Sequence, residues 1–132
     1  MGAADTNVLL RLLLDDDEAQ ARAARAFLRT HAPLFVSHIV LVEASWVLAS
    51  AYAYSRDEVR SVIDMLLETE GIDVQEPTVV ESALAHHRAS NADLSDCLIL
   101  AVAERAAATP LGTFDAKLAK LENARKLGSR KK

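Results

Sequence analysis

The chain has 132 residues, of which 51% are apolar, and carries a formal net charge of −4. A chain of this length buries roughly two-thirds of the surface that its unfolded form exposes, so a core can form without disulfides or a structural metal. The single cysteine, Cys97, excludes an internal disulfide framework and fits a reducing, cytoplasmic compartment. No apolar run approaches the roughly 18 residues that span a bilayer. These features predict one domain over residues 1–132, with no membrane partner.

The charge is distributed unevenly along the chain. Residues 117–132 contain seven Lys and Arg side chains against one acid, so this basic C-terminal segment carries +6 and the rest carries −10. Such a segment is either a solvated terminus or a surface for phosphate groups, and the sequence leaves both interpretations open.

Helical patterns alternate with short strand-like segments along the chain. Caps and turn residues mark several boundaries: Ser37 and Ser55 fit helix starts, and Gly71 fits a helix end. In chain order, the predicted elements are a brief strand over 2–5, helices over 6–14 and 17–30, a strand over 34–36, helices over 37–52 and 55–71, a strand over 72–74, helices over 77–88 and 93–107, a strand over 111–113, a short helix from 115 and an edge strand at 126–127. Strands separated by helices predict an α/β fold with a parallel sheet covered on both faces.

Four acidic residues lie in apolar surroundings instead of in solvated turns. Asp5 and Asp115 each follow a predicted strand. Glu43 lies within one helix that is apolar around nearly its whole circumference, and Asp96 begins another. Because a helix that is apolar on all sides is typically buried, these two carboxylates are expected to be buried. A buried ionised carboxylate must be paired or hold a metal ion.

The nearby cations cannot neutralise four carboxylates, since Arg11 is the only Lys or Arg in the apolar segments around them. A divalent cation would do so, and oxygen ligands favour Mg²⁺ or Mn²⁺ over zinc. Asp5 and Asp115 would lie beyond the carboxyl ends of parallel strands, where open sheets bind ligands. Taken singly, each acid also fits a helix cap or a first-turn acid. The four together favour a metal site.

Four short motifs resemble those of the PIN-domain family, and most closely those of the VapC-type toxins of bacterial toxin–antitoxin pairs. They are Asp5-Thr6-Asn7, Ser37 six residues before Glu43, Asp93-Leu94-Ser95-Asp96 with the apolar residues after it, and Thr113-Phe114-Asp115. The resemblance implies an α/β/α sandwich with a short parallel central sheet and a Mg²⁺- or Mn²⁺-dependent endoribonuclease site for an RNA substrate. It further implies a homodimer, inhibited by a small VapB-like antitoxin that also binds DNA.

The resemblance also implies roles for individual residues. The family's catalytic acids match Asp5, Glu43, Asp96 and Asp115. Its supporting polar positions match Thr6, Asn7 and Thr113. Asp93 lies three residues before Asp96, so the spacing leaves open which of the two faces the metal. The apolar pair after Asp96 favours Asp96, with Asp93 as a helix-start acid or a further supporting residue. Asp5 and Asp96 are expected to hold the metal ion, while Glu43 and Asp115 orient water or help to hold a second ion. Gly2 and Gly112 depart from the family pattern, which usually has bulkier strand residues there.

Two other functions stay open at this point. The chain could be a catalytically vestigial PIN-like binding module that acts through its dimer and antitoxin surfaces. It could instead be an aspartate-based phosphatase or phosphotransfer domain, although Asp5-Thr6-Asn7 lacks the second aspartate that such phosphatases place two residues on.

The remaining reactive or aromatic side chains have simpler interpretations. His86 and His87 are adjacent on a predicted helix, so they point about 100° apart and are expected at the surface. Cys97 is expected in the core of its apolar helix, and Trp46 in the core or at a dimer interface.

Overall fold

The computed structural model describes residues 1–128. The basic residues Arg130, Lys131 and Lys132 of the C-terminal segment lie outside the described residues. The chain divides into two compact units, Met1–Gln75 and Glu76–Lys132. Across residues 1–128, no helix has both the length and the apolar character needed to cross a bilayer.

The first unit combines a three-stranded parallel sheet with four helices. Its elements are β1 (Gly2–Ala3), α1 (Thr6–Leu13), α2 (Glu18–His31), β2 (Leu34–Val36), α3 (His38–Ala51), α4 (Arg56–Glu68) and β3 (Ile72–Val74). The strand order is β1-β2-β3, and Leu34 of the central strand pairs with Gly2 on one side and Ile72 on the other. Parallel neighbours need crossover connections, which the intervening helices supply. The predicted α/β class and short parallel sheet are confirmed.

Local capping interactions explain why these helices begin where the sequence predicts. The Ser37 hydroxyl accepts a hydrogen bond from the Val40 amide at 3.2 Å, at the start of α3. At α4, the Ser55 hydroxyl accepts from the Glu58 amide at 3.1 Å, and the Glu58 carboxylate accepts from the Ser55 amide at 2.8 Å. This reciprocal pair satisfies two amides that would otherwise lack partners at the helix end.

Removal of the capping hydroxyl in Ser55→Ala should lower the free energy of unfolding by about 1 kcal/mol, because one amide of the first turn of α4 loses its acceptor. Urea denaturation of the two proteins measures the difference. Ser61→Ala, an exposed serine within the same helix, serves as the control and should change stability far less. Equal effects of the two substitutions would contradict a capping role.

The glycine at the start of β1 follows from the close approach of α2. A Cβ atom at Gly2 would lie 3.0 Å from the Cβ of His31 and 3.3 Å from the ring of Phe27. Contacts this short leave no room for the bulky residues that strands normally prefer. The main-chain pairing nevertheless continues beyond the strand, since the Ala4 amide donates to the Phe35 carbonyl at 3.0 Å.

The second unit contains two helices and a separate two-stranded parallel sheet. Its elements are α5 (Pro77–Arg88), α6 (Leu94–Arg105), β4 (Leu111–Thr113), a 3₁₀ helix (Leu118–Lys120) and β5 (Ala124–Lys126). In the β4–β5 pair, Gly112 lies opposite Arg125 and Thr113 lies opposite Lys126. The predicted short helix after Asp115 is a single 3₁₀ turn, and the edge strand begins two residues earlier than predicted.

The two helices of this unit pack against each other around a small apolar core. Leu84, Cys97 and Leu100 are at most 2% exposed, and the expectation that Cys97 is a core residue is confirmed. The expectation that His87 lies at the surface is wrong, because this side chain is only 3% exposed. The reason is its spacing, since His87 follows Val80 and Ala83 by seven and four residues on the buried face of α5.

A polar network joins three elements of the second unit. The ring of His86 hydrogen-bonds the Glu104 carboxylate at 2.7 Å, and the Asn123 side-chain amide donates to the other oxygen of that carboxylate at 3.0 Å. Partial burial raises the pKa of Glu104, but the hydrogen bonds from Asn123 and His86 outweigh it and bring the pKa below its usual value. The network ties α5 and α6 to the residue that precedes β5.

Candidate acidic site

Asp5 is held in position at the start of α1 by a capping hydrogen bond. Its carboxylate accepts a hydrogen bond from the Val8 amide at 2.9 Å, so it caps the helix that follows β1. The side chain is exposed. Asp5 therefore combines a fixed main-chain position, directly after a strand, with access from solvent.

Glu43 is held by a residue from another element of the same unit. The Thr6 hydroxyl donates to the Glu43 carboxylate at 2.5 Å, across from α1 to α3. This is a charge-assisted hydrogen bond, the stronger kind between side chains. The structure thus brings together Glu43 and one of the predicted supporting residues.

The expectation that Glu43 is buried is wrong, because the carboxylate lies on an exposed face of α3. Ile39 and Trp46, four residues before and three residues after Glu43, share that face and are 72% and 51% exposed. Trp46 is therefore not a core residue, contrary to one of its two predicted placements. The apolar circumference of this helix indicated burial, but part of it faces solvent.

Two other predicted residues of the first unit have partners away from the candidate acids. The side-chain amide of Asn7 donates to Gln20 of α2 at 3.4 Å. Arg11 pairs with Asp16 at 2.5 Å, and the Tyr52 hydroxyl also donates to Asp16. The Tyr52 hydrogen bond and the Arg11 charge hold the pKa of Asp16 below its usual value. The only cation predicted near the acids is thus engaged elsewhere.

In the second unit, Asp96 lies in a cluster of like charges. It occupies the first turn of α6 and is half-buried, whereas Asp93 precedes that helix and is exposed. Burial raises the pKa of Asp96, and the neighbouring charges of Asp115 and Asp93 raise it further. The structure therefore brings Asp96 within electrostatic range of both other acids.

Asp115 is oriented by hydrogen bonds on both sides of it. Its own amide donates to the Thr113 hydroxyl at 3.0 Å, and its carboxylate accepts from the Lys117 amide at 3.1 Å. Thr113 ends β4, so the strand and the turn after it fix the position of this carboxylate. The motifs identify Thr113 as a supporting residue. They do not identify the Lys117 amide, which contacts Asp115, or Gln20, which contacts Asn7, because such contacts depend on backbone geometry.

The residue types in both units fit a hard divalent cation. The four candidates supply carboxylate oxygens, and the cluster of Asp93, Asp96 and Asp115 concentrates negative charge that a cation would neutralise. Within residues 1–128, no group of three or more His, Cys, Asp or Glu side chains is arranged so that it could hold a metal ion. Mg²⁺ does not need such a group, since it usually keeps several waters and is bound by one or two carboxylates.

Comparison with known proteins identifies the family. The PIN domain family model matches residues 3–124, whereas no curated protein matches the chain. The matched span contains all four candidate acids and extends over both compact units. PIN domains are generally metal-dependent nucleases, and PIN domain nucleases bind RNA. With a match over nearly its whole length, the chain belongs to the PIN domain family.

Proposed function

We propose that this protein is a Mg²⁺- or Mn²⁺-dependent endoribonuclease and the toxin of a VapBC-type toxin–antitoxin pair. The observation that carries the proposal is the placement of the carboxylates in a chain of a nuclease family. Glu43 is fixed by the Thr6 hydroxyl, and Asp96 shares a cluster of like charges with Asp115. A single nuclease domain over residues 1–132, including the basic segment from 117, is part of the proposal.

The carboxylates have distinct roles in this proposal. Asp5 and Asp96 would hold a divalent ion directly or through water, and Glu43 and Asp115 would orient water or help to hold a second ion. When bound, such an ion lowers the pKa of water and polarises the scissile phosphate. No side chain of the protein needs to act as the nucleophile.

The supporting residues act by restricting how these carboxylates can turn. The Thr6 hydroxyl fixes one oxygen of Glu43, and the Lys117 amide fixes one oxygen of Asp115. Thr113 in turn holds the Asp115 main chain. Carboxylates fixed in this way lose little conformational freedom when they engage a cation or water, which favours a defined hydrolytic geometry. Asn7 and Asp93 would support the site from the starts of α1 and α6.

The proposed partners are those of a VapBC-type toxin. The substrate is RNA, a VapB-like antitoxin inhibits the toxin, and the protein acts as a homodimer in the cytoplasm. The exposed apolar side chains of α3, Ile39 and Trp46, are of the kind that such protein contacts cover.

An in vitro cleavage assay tests the proposed activity. Purified protein should cut total RNA in the presence of Mg²⁺ or Mn²⁺ and lose this activity in EDTA. Cleavage that persists unchanged in EDTA would contradict the metal dependence. A protein that neither cleaves RNA nor binds Mn²⁺ would instead be a vestigial binding module.

Metal binding can be tested separately from activity by the stability of Asp96→Asn. Loss of one charge from the cluster removes repulsion with Asp115 and Asp93, so in EDTA this variant should unfold at a temperature no lower than that of the wild type. Saturating Mg²⁺ should raise the unfolding temperature of the wild type and have a much smaller effect on the variant, because ligands stabilise the state that binds them. Calorimetry measures both values, with Asp64→Asn, an exposed aspartate of α4, as the control. An equal Mg²⁺ effect on all three proteins would argue against a role for Asp96.

A further inference from the structure

Four exposed cations lie in the part of the chain that follows β4. Lys117, Lys120, Arg125 and Lys126 are all exposed, and we call them the basic rim. Glu122 is the only acid between residues 117 and 126. Elsewhere in the described residues several arginines are paired with carboxylates, namely Arg11, Arg22, Arg60 and Arg105. The cations of the basic rim have no such ion pair within residues 1–128, so no existing pair must break before they meet an anion.

Strand pairing brings the basic rim next to Asp115. Lys126 lies opposite Thr113 in the β4–β5 register, and parallel strands are about 4.8 Å apart. The Leu127 amide donates to the Thr113 carbonyl at 2.8 Å, which fixes this end of β5 against β4. Lys117 follows Asp115 by two residues, and its main-chain amide donates to the Asp115 carboxylate at 3.1 Å. Two residues of the basic rim, Lys117 and Lys126, are thus anchored by their main chains beside the turn that carries Asp115.

An aromatic ring stands in the same turn. Phe114, between Thr113 and Asp115, is 70% exposed, although a phenylalanine side chain normally gains free energy by burial. Proteins that bind single-stranded nucleic acids combine a positively charged surface for the backbone with exposed aromatic rings on which bases stack. An acidic protein segment would engage the cations but has no base to stack on this ring.

We propose that the basic rim and Phe114 form a binding surface for single-stranded RNA, in which cations of the rim contact phosphates and a base stacks on the Phe114 ring. This inference rests on the proposed function, because it gives the substrate strand a path beside Asp115. The surface is formed by residues 114–126 of the second unit.

RNA affinity measured in EDTA, where metal-dependent cleavage is absent, tests this surface. Fluorescence anisotropy with a short single-stranded RNA gives the dissociation constant at a series of salt concentrations. Each phosphate contact to single-stranded RNA contributes about −0.7 to the slope of log affinity against log salt. Arg125 and Lys126 are neighbours on β5 and point to opposite faces, so the test uses Lys126 and Lys117. Lys126→Gln and Lys117→Gln should each reduce the magnitude of that slope by about this amount. Arg29→Gln, an exposed arginine of α2, is the control and should leave the slope unchanged.

Substitution of the ring tests the stacking contact independently of charge. Phe114→Leu should weaken RNA binding about five- to a hundredfold without changing the salt slope, because one base loses its stacking partner. Phe27→Leu, a partly exposed aromatic of α2, should have little effect.

The outcomes separate this inference from the proposed function. Unchanged slopes in Lys126→Gln and Lys117→Gln, or a Phe114→Leu affinity equal to that of the wild type, would overturn the binding surface even if the protein cleaves RNA. Competition by polyglutamate as effective as competition by RNA would assign the basic rim to an acidic protein partner and also overturn it. The expected slopes in a protein that does not cleave RNA would support the surface and reject the nuclease proposal.

Discussion

Replacement of Asp5 with Asn should reduce divalent-ion-dependent RNA cleavage by more than about a hundredfold, while the protein stays folded. The substitution removes the charge that a cation requires but keeps a side-chain oxygen. Asn is as good a helix N-cap as Asp, so the hydrogen bond from the Val8 amide can persist. Because Asp5 is exposed, the substitution creates no cavity. A loss of activity would therefore report on chemistry and not on folding.

The measurement compares initial rates of RNA cleavage at saturating Mg²⁺, with circular dichroism to verify the fold. Asp64→Asn removes the same charge from an exposed position on α4 and should retain activity. Comparable rates for Asp5→Asn and the wild type would show that this carboxylate has no part in the reaction. A loss in both variants would point to the overall charge of the protein as the cause.

The largest stability effect is expected from Leu100→Ala. Leu100 of α6 is fully buried, and its truncation leaves a cavity that neighbouring side chains fill only in part. Substitutions of this kind cost about 2–5 kcal/mol, which is a large share of the total stability of a small protein. Chemical denaturation should show a lower midpoint with a similar slope.

The adjacent residue provides a matched control for this prediction. Ile99 precedes Leu100 on the same helix, but it is 52% exposed. Ile99→Ala should cost less than about 1 kcal/mol, since half of its surface is already in water and alanine is the better helix former. Similar losses in the two variants would contradict the division of α6 into a buried face and an exposed face.

Much of the fold could be predicted because its signals are local. The start of α4 depends on Ser55 and Glu58, three residues apart, and that of α3 on Ser37 immediately before the helix. The limits of β5 were less predictable, because a three-residue edge strand is defined by its pairing with β4 and not by its own composition. The need for glycine at position 2 could not be predicted from neighbouring residues either, because it comes from the tertiary contact with His31.

For the candidate site, the sequence predicts which residues to consider but not whether each of them is buried or exposed. The motifs point to Glu43 and Asp96 as candidates, whereas the apolar circumference of its helix wrongly indicated that Glu43 is buried. An apolar side chain on a helix can face the core or remain at the surface, as Ile39 does, and composition alone does not separate the two cases. His87 shows the opposite error, because a polar residue at core spacing is buried.

The close approach of β1 to α2 limits how this sequence can diverge. Residue 2 can gain a side chain only if residue 31 or the spacing of these two elements changes, since their Cβ atoms would lie 3.0 Å apart. Positions 2 and 31 are therefore expected to covary among relatives, with a larger residue at one tolerated only after the other has adapted. Asp5 lies only three residues after Gly2. A substitution at residue 31 of α2 that displaces β1 would therefore also shift the carboxylate of Asp5.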